Sequence, residues 1–324
     1  MKRIISTVLC LLMLFASCVS IVSCGAENQK KADDYATALA KIIDRDYEGA
    51  YALFEQLGDY KDSKKYLENF YYMPTFIDFK LSDRAGTIDV LYNEYNLPIK
   101  EISHREDMDR VTEFEYDETG TVTKQIVTID GETSSYSYVY NDIGEYETAT
   151  YEGSDGSGFA WRYEYNEKGY KITETYVYQG EDLYACIYTY DEDDNIIKMD
   201  FKSGDEVINT LDITYTFDEN GYITKKVCNY SDGVEEILEY AYDEQGRRIR
   251  CVFEAHDDSV TTFNTTYDEN GNVVKQVATN TEGTVETAEY EYKLMYLPLG
   301  FTYGTELFFY GYWASVLRPF EYYE

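Results

Sequence analysis

Over most of the chain, apolar and polar residues alternate in short runs, and each run ends in an aromatic residue followed by Asp or Asn. One and three positions before that Asp/Asn stand Tyr138/Tyr140, Tyr163/Tyr165, Tyr188/Tyr190, Tyr215/Phe217, Tyr240/Tyr242 and Tyr290/Tyr292. Five before it stand Tyr136, Trp161, Cys186, Ile213, Leu238 and Phe263. The residues between are mostly polar, among them Glu113, Glu115, Glu164, Thr214, Thr216, Glu239 and Glu289. A period of two with one apolar face predicts half-buried antiparallel strands.

What separates the runs is equally regular. A glycine follows the Asp/Asn by three residues at Gly120, Gly144, Gly169, Gly221, Gly246 and Gly271. Aromatic-Asp-x-x-Gly between two strands predicts a tight turn whose last residue has positive φ, where a Cβ would cost about 1–2 kcal/mol. Asn96 and Asp194 replace Gly in two copies, and both types tolerate that backbone region. A second, looser turn follows in each unit, as at Asp130-Gly131-Glu132 and Gln179-Gly180-Glu181. The turn-opening positions Asn93, Asp117, Asn141, Asn166, Asp191, Asp218, Asp243, Asp268 and Lys293 lie 24 to 27 residues apart. So regular a period marks a repeat architecture. The expected fold is mainly β: an antiparallel hairpin meander of about eight units of about 25 residues, with roughly sixteen strands.

If the aromatic before each Asp/Asn faces the residue after the Gly, the core face of the second strand runs through Ile99, Ile172, Ile197, Ile249 and Val274. It then reaches Val127, Tyr151, Tyr176, Phe201, Cys228 and Phe253. A basic column of Lys100, Lys124, Lys198, Lys225, Arg250 and Lys275 takes the other face. In that register Glu113 faces Lys124 and Glu239 faces Arg250, exposed pairs that contribute about 0.2–1 kcal/mol each.

The turns Tyr242-Asp243-Glu244-Gln245-Gly246 and Tyr267-Asp268-Glu269-Asn270-Gly271 resemble the YD (rearrangement-hotspot) repeats of bacterial surface and toxin proteins, over about 90–293. The resemblance implies a spiralling or curled β-sheet whose Tyr-rich face turns inward. Arg-Tyr-x-Tyr ahead of the Asp/Asn occurs only at Arg162-Tyr163-Glu164-Tyr165, and the period is a few residues longer than in that family.

The flanks differ. Residues 1–23 have the Lys2-Arg3 start and apolar stretch of a signal peptide. Ile21-Val22-Ser23-Cys24-Gly25 resembles a bacterial lipobox, which implies that Cys24 is lipidated and that residues 24–31 form a tether. A diacyl anchor would hold the protein to the outer face of the bacterial cytoplasmic membrane or to the cell surface without spanning. Residues 32–72 show helical spacing at Ala38, Ile42, Ala50, Leu53, Phe54 and Leu57, and Tyr47–Tyr60 resembles part of a tetratricopeptide repeat. Residues 73–293 are the Tyr-rich repeat domain, and the aromatic stretch 294–324 is expected to cap it.

Composition narrows the function. With 62 acidic against 28 basic residues, the net charge is −34, which opposes nucleic-acid binding and allows weak divalent-cation binding. The chain has 37 tyrosines, rings that bury well if the hydroxyl finds a partner. His104 and His256 stand in different repeats, and Cys186, Cys228 and Cys251 lack zinc-type spacing. Asp191-Glu192-Asp193-Asp194-Asn195 resembles half a calcium loop but lacks its Gly and distal Glu. No cofactor is expected. The residues point to a non-catalytic binding or scaffolding module for a cell-envelope or extracellular protein or glycan, with Phe159 and Trp161 as candidate contacts. A carbohydrate hydrolase with paired carboxylates and a plain spacer are the alternatives.

Overall fold

The computed structural model describes residues 26–82, 84–105 and 108–297. Cys24, the signal peptide and nearly all of the expected 294–324 cap lie outside them.

The N-terminal segment is helical. α1 (Ala26–Ile43) and α2 (Tyr47–Leu57) pack through Tyr35, Ala38, Ala50, Phe54 and Leu57, and a short α3 (Ser63–Leu67) follows. The Asp46 carboxylate caps α2 by accepting the Gly49 N–H at 3.1 Å, satisfying one of the amides a helix start leaves open. Phe54 stacks on Tyr66 with centroids 4.8 Å apart. α1 already covers most of the stretch expected to be a tether.

Eighteen strands follow among the described residues, each antiparallel to the next. β1 (Phe70–Lys80) runs across the expected division between residues 32–72 and 73–293 and pairs on one side with β2 (Ala85–Tyr92). On its other side it pairs with the last strand, β18 (Val285–Tyr296), in a register from Phe70↔Tyr296 to Lys80↔Thr287. That pairing closes the sheet on itself. The expectation of a spiralling or curled sheet of about sixteen strands is therefore corrected: the fold is a closed 18-stranded antiparallel barrel. Closure removes the free edges, whose unpaired amides are otherwise open to other chains. Residue 75 bulges out between Pro74 and Phe76, so the proline, which has no N–H to give, sits at an irregularity.

In a closed sheet with no layer over its outside among the described residues, the buried side chains must face inward. Ile77, Phe79, Ile88, Val90, Phe114, Val122, Ala278 and Ala288 form one inward cluster, and Tyr188, Met199, Leu211, Ile213, Cys228, Leu238 and Phe253 another. The helices attach at the end where the tight turns lie. There Tyr47 packs with Leu294 and Tyr296, and the Asn96 amide donates to the Tyr47 hydroxyl and the Tyr296 carbonyl, each at 2.8 Å.

The register differs from expectation by a bulge repeated at the tight turns. In β4 (Asp109–Tyr116) and β5 (Val122–Ile129), Tyr116 pairs with Val122 but Glu115 with Lys124, so one residue is skipped. The same skip follows Tyr92, Tyr140, Tyr165, Tyr190, Phe217, Tyr242 and Tyr267. Its consequence is a change of face. Val122 is buried, whereas Ile99 and Ile249, expected in the core, are exposed. Glu113 thus faces Lys100, not Lys124, and Glu239 faces Lys225, not Arg250, with ion pairs of 3.2 and 3.7 Å. Lys275 and Glu289 pair likewise at 2.5 Å.

Candidate functional site

The six turn glycines all have φ between 78° and 90°, and Asn96 and Asp194 take 62° and 69°. These positions are structural. In each turn the Asp or Asn side chain accepts amides two and four residues on, as Asp218 does from Asn220 (2.8 Å) and Tyr222 (2.9 Å). The calcium-like loop is built this way too. Asp191 Oδ1 accepts from the amides of Asp193 and Asn195, and Asp194 is paired with Lys168 at 2.6 Å. Among the described residues no three His, Cys, Asp or Glu side chains converge as a metal site would need. His104 is exposed, 3.3 Å from Asp109.

Phe159 and Trp161 lie on β8 (Gly158–Tyr165), near the end of the barrel opposite the helices. They are not alone. Tyr136 on β6 (Glu132–Tyr140) faces Tyr151 on β7 (Tyr146–Glu152), with centroids 5.0 Å apart. Tyr151 stacks on Phe159 at 4.7 Å, and Tyr176 on β9 (Lys171–Tyr178) lies 5.3 Å from Phe159 and 5.0 Å from Trp161. Tyr184 on β10 (Glu181–Tyr190) continues the row 6.3 Å beyond Tyr176. These are the offset and tilted spacings that aromatic pairs favour.

Trp161 occupies the place in its repeat that buried Ile213 and Leu238 occupy in theirs, and Tyr176 that of buried Cys228 and Phe253. The row therefore lies on the inward face. Unlike those counterparts, its rings are only half-buried, and Tyr184 is 53% exposed. Sequence reasoning missed Tyr136, Tyr151 and Tyr176 as members of the site because it counted them as ordinary core, and it did not single out Tyr184. The available signal was that the two consecutive pairs Tyr136–Tyr151 and Trp161–Tyr176 carry rings at both inward positions, where the later repeats carry at most one.

Further along the inward face is a polar group. Lys171 pairs with Glu174 at 2.6 Å and lies over the Tyr188 ring, 4.9 Å from its centroid. The Tyr188 hydroxyl contacts the same carboxylate at 3.3 Å. Burial, with Glu174 beside it, raises the Tyr188 pKa well above the ordinary phenol value, and burial pushes the Cys186 thiol up to about 11. A carboxylate held by a lysine and a neutral phenol is braced as an ion pair.

The outward face, by contrast, carries the Lys100–Glu113, Lys225–Glu239 and Lys275–Glu289 pairs. A lipid-facing barrel wall is an apolar band, and a lysine at mid-bilayer costs about 2–4 kcal/mol. This outer wall is suited to water.

No family model matches the chain, and no curated protein matches it. Similar solved structures include a porin-like protein from Bacteroides uniformis ATCC 8492, at TM-score 0.38 and 14% identity over 68% of this chain and 96% of that one. A porin-like protein from Bacteroides vulgatus ATCC 8482 gives TM-score 0.33 and 14% identity over 56% and 94%. TcdB2-TccC3 without its hypervariable C-terminal region gives 0.28 and 11% over 63% of this chain and 15% of that one. At these scores the likenesses carry no argument about what this chain does.

Proposed function

We propose that the protein is a non-catalytic binding module that takes a glycan chain along the aromatic row, exported and tethered at the cell envelope through Cys24. The carrying observation is the contiguous row Tyr136–Tyr151–Phe159–Trp161–Tyr176–Tyr184, half-buried to exposed where Ile213, Leu238, Cys228 and Phe253 in equivalent places of other repeats are buried. Sugar rings present flat C–H faces that stack on such side chains, with hydroxyls left to bond the tyrosines. The closed sheet favours a glycan over a peptide, since a peptide docking as an added strand needs a free edge. The leader and lipobox-like sequence support the address.

Isothermal titration with a panel of neutral oligosaccharide hexamers tests the reading. Tyr184→Ala is the cleanest variant, because its ring contributes least to the core. It should weaken binding about tenfold while leaving the unfolding temperature nearly unchanged. Saturable binding that Tyr184→Ala and Phe159→Ala leave untouched would count against the row. Release of shortened sugars during the titration would favour a hydrolase instead.

A further inference from the structure

Beside the aromatic row the inward wall changes character. On β3 (Pro98–Arg105) the inward residues are Glu101, Ser103 and Arg105, and on β4 they are Arg110, Thr112 and Phe114. Ser103 is paired directly with Arg110 across the two strands, and Glu101 with Thr112. Arg105 lies opposite Gly86, and its guanidinium sits over the Phe79 ring, 5.9 Å from the centroid. Gly86 makes that fit. A Cβ there would meet the Phe79 ring at 3.2 Å and press on the His104 carbonyl.

Two further features tie this patch to the row. Tyr136, the first ring of the row, is level with Phe114 of β4, since Gln125 of β5 stands opposite both, and it lies within electrostatic reach of Arg110. The Ser103 hydroxyl, on a residue only 3% exposed, has no hydrogen-bond partner among the described residues, and an unmatched buried hydroxyl is costly.

We infer that the Ser103–Arg105–Arg110 patch receives the acidic group of the glycan laid on the aromatic row, so that the ligand is an acidic oligosaccharide, one carrying carboxylates or sulfates. The inference rests on the glycan reading above and narrows it. Arginine is suited to the task because its planar fork meets a carboxylate or sulfate with two parallel N–H donors. Two arginines stand against Glu101 alone among the inward residues of these two strands. The chain's overall charge of −34 does not forbid an anion here. Coulomb energy falls with distance, so the nearest groups weigh most in the local potential.

The test compares a hexamer of galacturonic acid with the same hexamer fully methyl-esterified. The two share size and stacking faces and differ in charge. With the full-length protein in a titration at low salt, the acid should bind about tenfold more tightly than the ester, and added salt should shrink that ratio. Arg110→Gln should abolish the ratio by weakening the acid far more than the ester, whereas Phe159→Ala should weaken both ligands alike. Arg110→Lys, which keeps charge but loses the fork, should retain part of the preference. If Arg110→Gln fails to fold, Arg105→Gln is read in its place with the same expectation. Equal affinity for acid and ester would overturn the acidic preference and leave the glycan reading standing. A ratio that survives in both glutamine variants would overturn the assigned patch. Failure of both hexamers and of every neutral hexamer to bind would overturn the glycan reading, and the acidic preference with it.

Discussion

The Tyr215 hydroxyl donates to the Ile196 carbonyl at 2.8 Å. In neighbouring repeats this bond belongs to the tyrosine next to the turn Asp/Asn. Tyr140 donates to Val122 at 2.7 Å, Tyr190 to Lys171 at 2.7 Å, Tyr242 to Ile223 at 2.8 Å and Tyr267 to Arg248 at 2.9 Å. Each acceptor is the residue opposite the preceding hairpin's own last aromatic. The hydroxyls thus pin each hairpin to the one before it. One repeat carries Phe217 in that place, and the tyrosine two residues earlier makes the bond instead.

This arrangement gives a rescue test. Tyr215→Phe removes the donor and should cost about 1 kcal/mol by chemical denaturation. Adding Phe217→Tyr to that variant restores a hydroxyl where the other repeats have theirs and should recover most of the loss. A double variant no more stable than the single one would mean the bond contributes nothing.

The turn glycines are not equivalent. Gly221 has φ of 85° and open space where a Cβ would go, whereas a Cβ on Gly246 (φ 78°) would run into the Tyr222 ring and hydroxyl. Gly221→Ala should cost about 1 kcal/mol and Gly221→Val about 1–2 kcal/mol, through backbone strain alone. Gly246→Ala should cost more than Gly221→Ala, because Tyr222 must also leave its stack on Tyr242. Equal denaturation midpoints for the two alanine variants would contradict this.

Acid should loosen the tight turns. The Tyr222 amide holds the Asp218 pKa below its usual value of 3.8, and the Asn195 amide does the same for Asp191. A carboxyl depressed by folding contributes stability that is fully present above pH 3.8 and is lost as pH falls toward the folded value. Asn141 makes the same turn bonds as a neutral amide, at 3.0 and 2.9 Å. Asp191→Asn with Asp218→Asn should therefore leave stability near neutral pH little changed and flatten its fall below about pH 4. The measurement is the unfolding midpoint against pH. An unchanged acid limb would argue against the turn carboxylates as its source.

Cys186 and Cys228 are free thiols that burial raises to about 11. The thiolate is the reactive form. Iodoacetamide at pH 8 should leave both unmodified in the native protein and label both in denaturant, as read by mass spectrometry. Rapid native labelling would show that the inward face around them is open.

How much of this was legible beforehand depends on the range of the interaction. The strand before each turn and the positive φ at Gly120 or Gly271 are local, and alternation with Asp-x-x-Gly spacing declares them. The bulge that sets Glu115 against Lys124 leaves no mark in that alternation. A one-residue skip moves every later side chain to the other face, which is why Ile99 read as core and lies outside. Closure was less legible still. β1 has no tight turn before it, carries Pro74, and finds Tyr290 opposite Ile77 more than two hundred residues away. Phe159 and Trp161 could be named from their turn, but the row they belong to depends on which rings stand side by side once the register is known.

The closing contact between β1 and β18 tests the account most directly. Spin labels at Asp78 and Glu289, which stand opposite one another in that pairing, report it by electron paramagnetic resonance. The closed barrel places the two backbones about 5 Å apart and predicts strong dipolar broadening. A flat open meander would separate its end strands by about 80 Å, seventeen strand spacings. Narrow lines with a long distance distribution would contradict closure, and with it the inward face on which the proposed binding row lies.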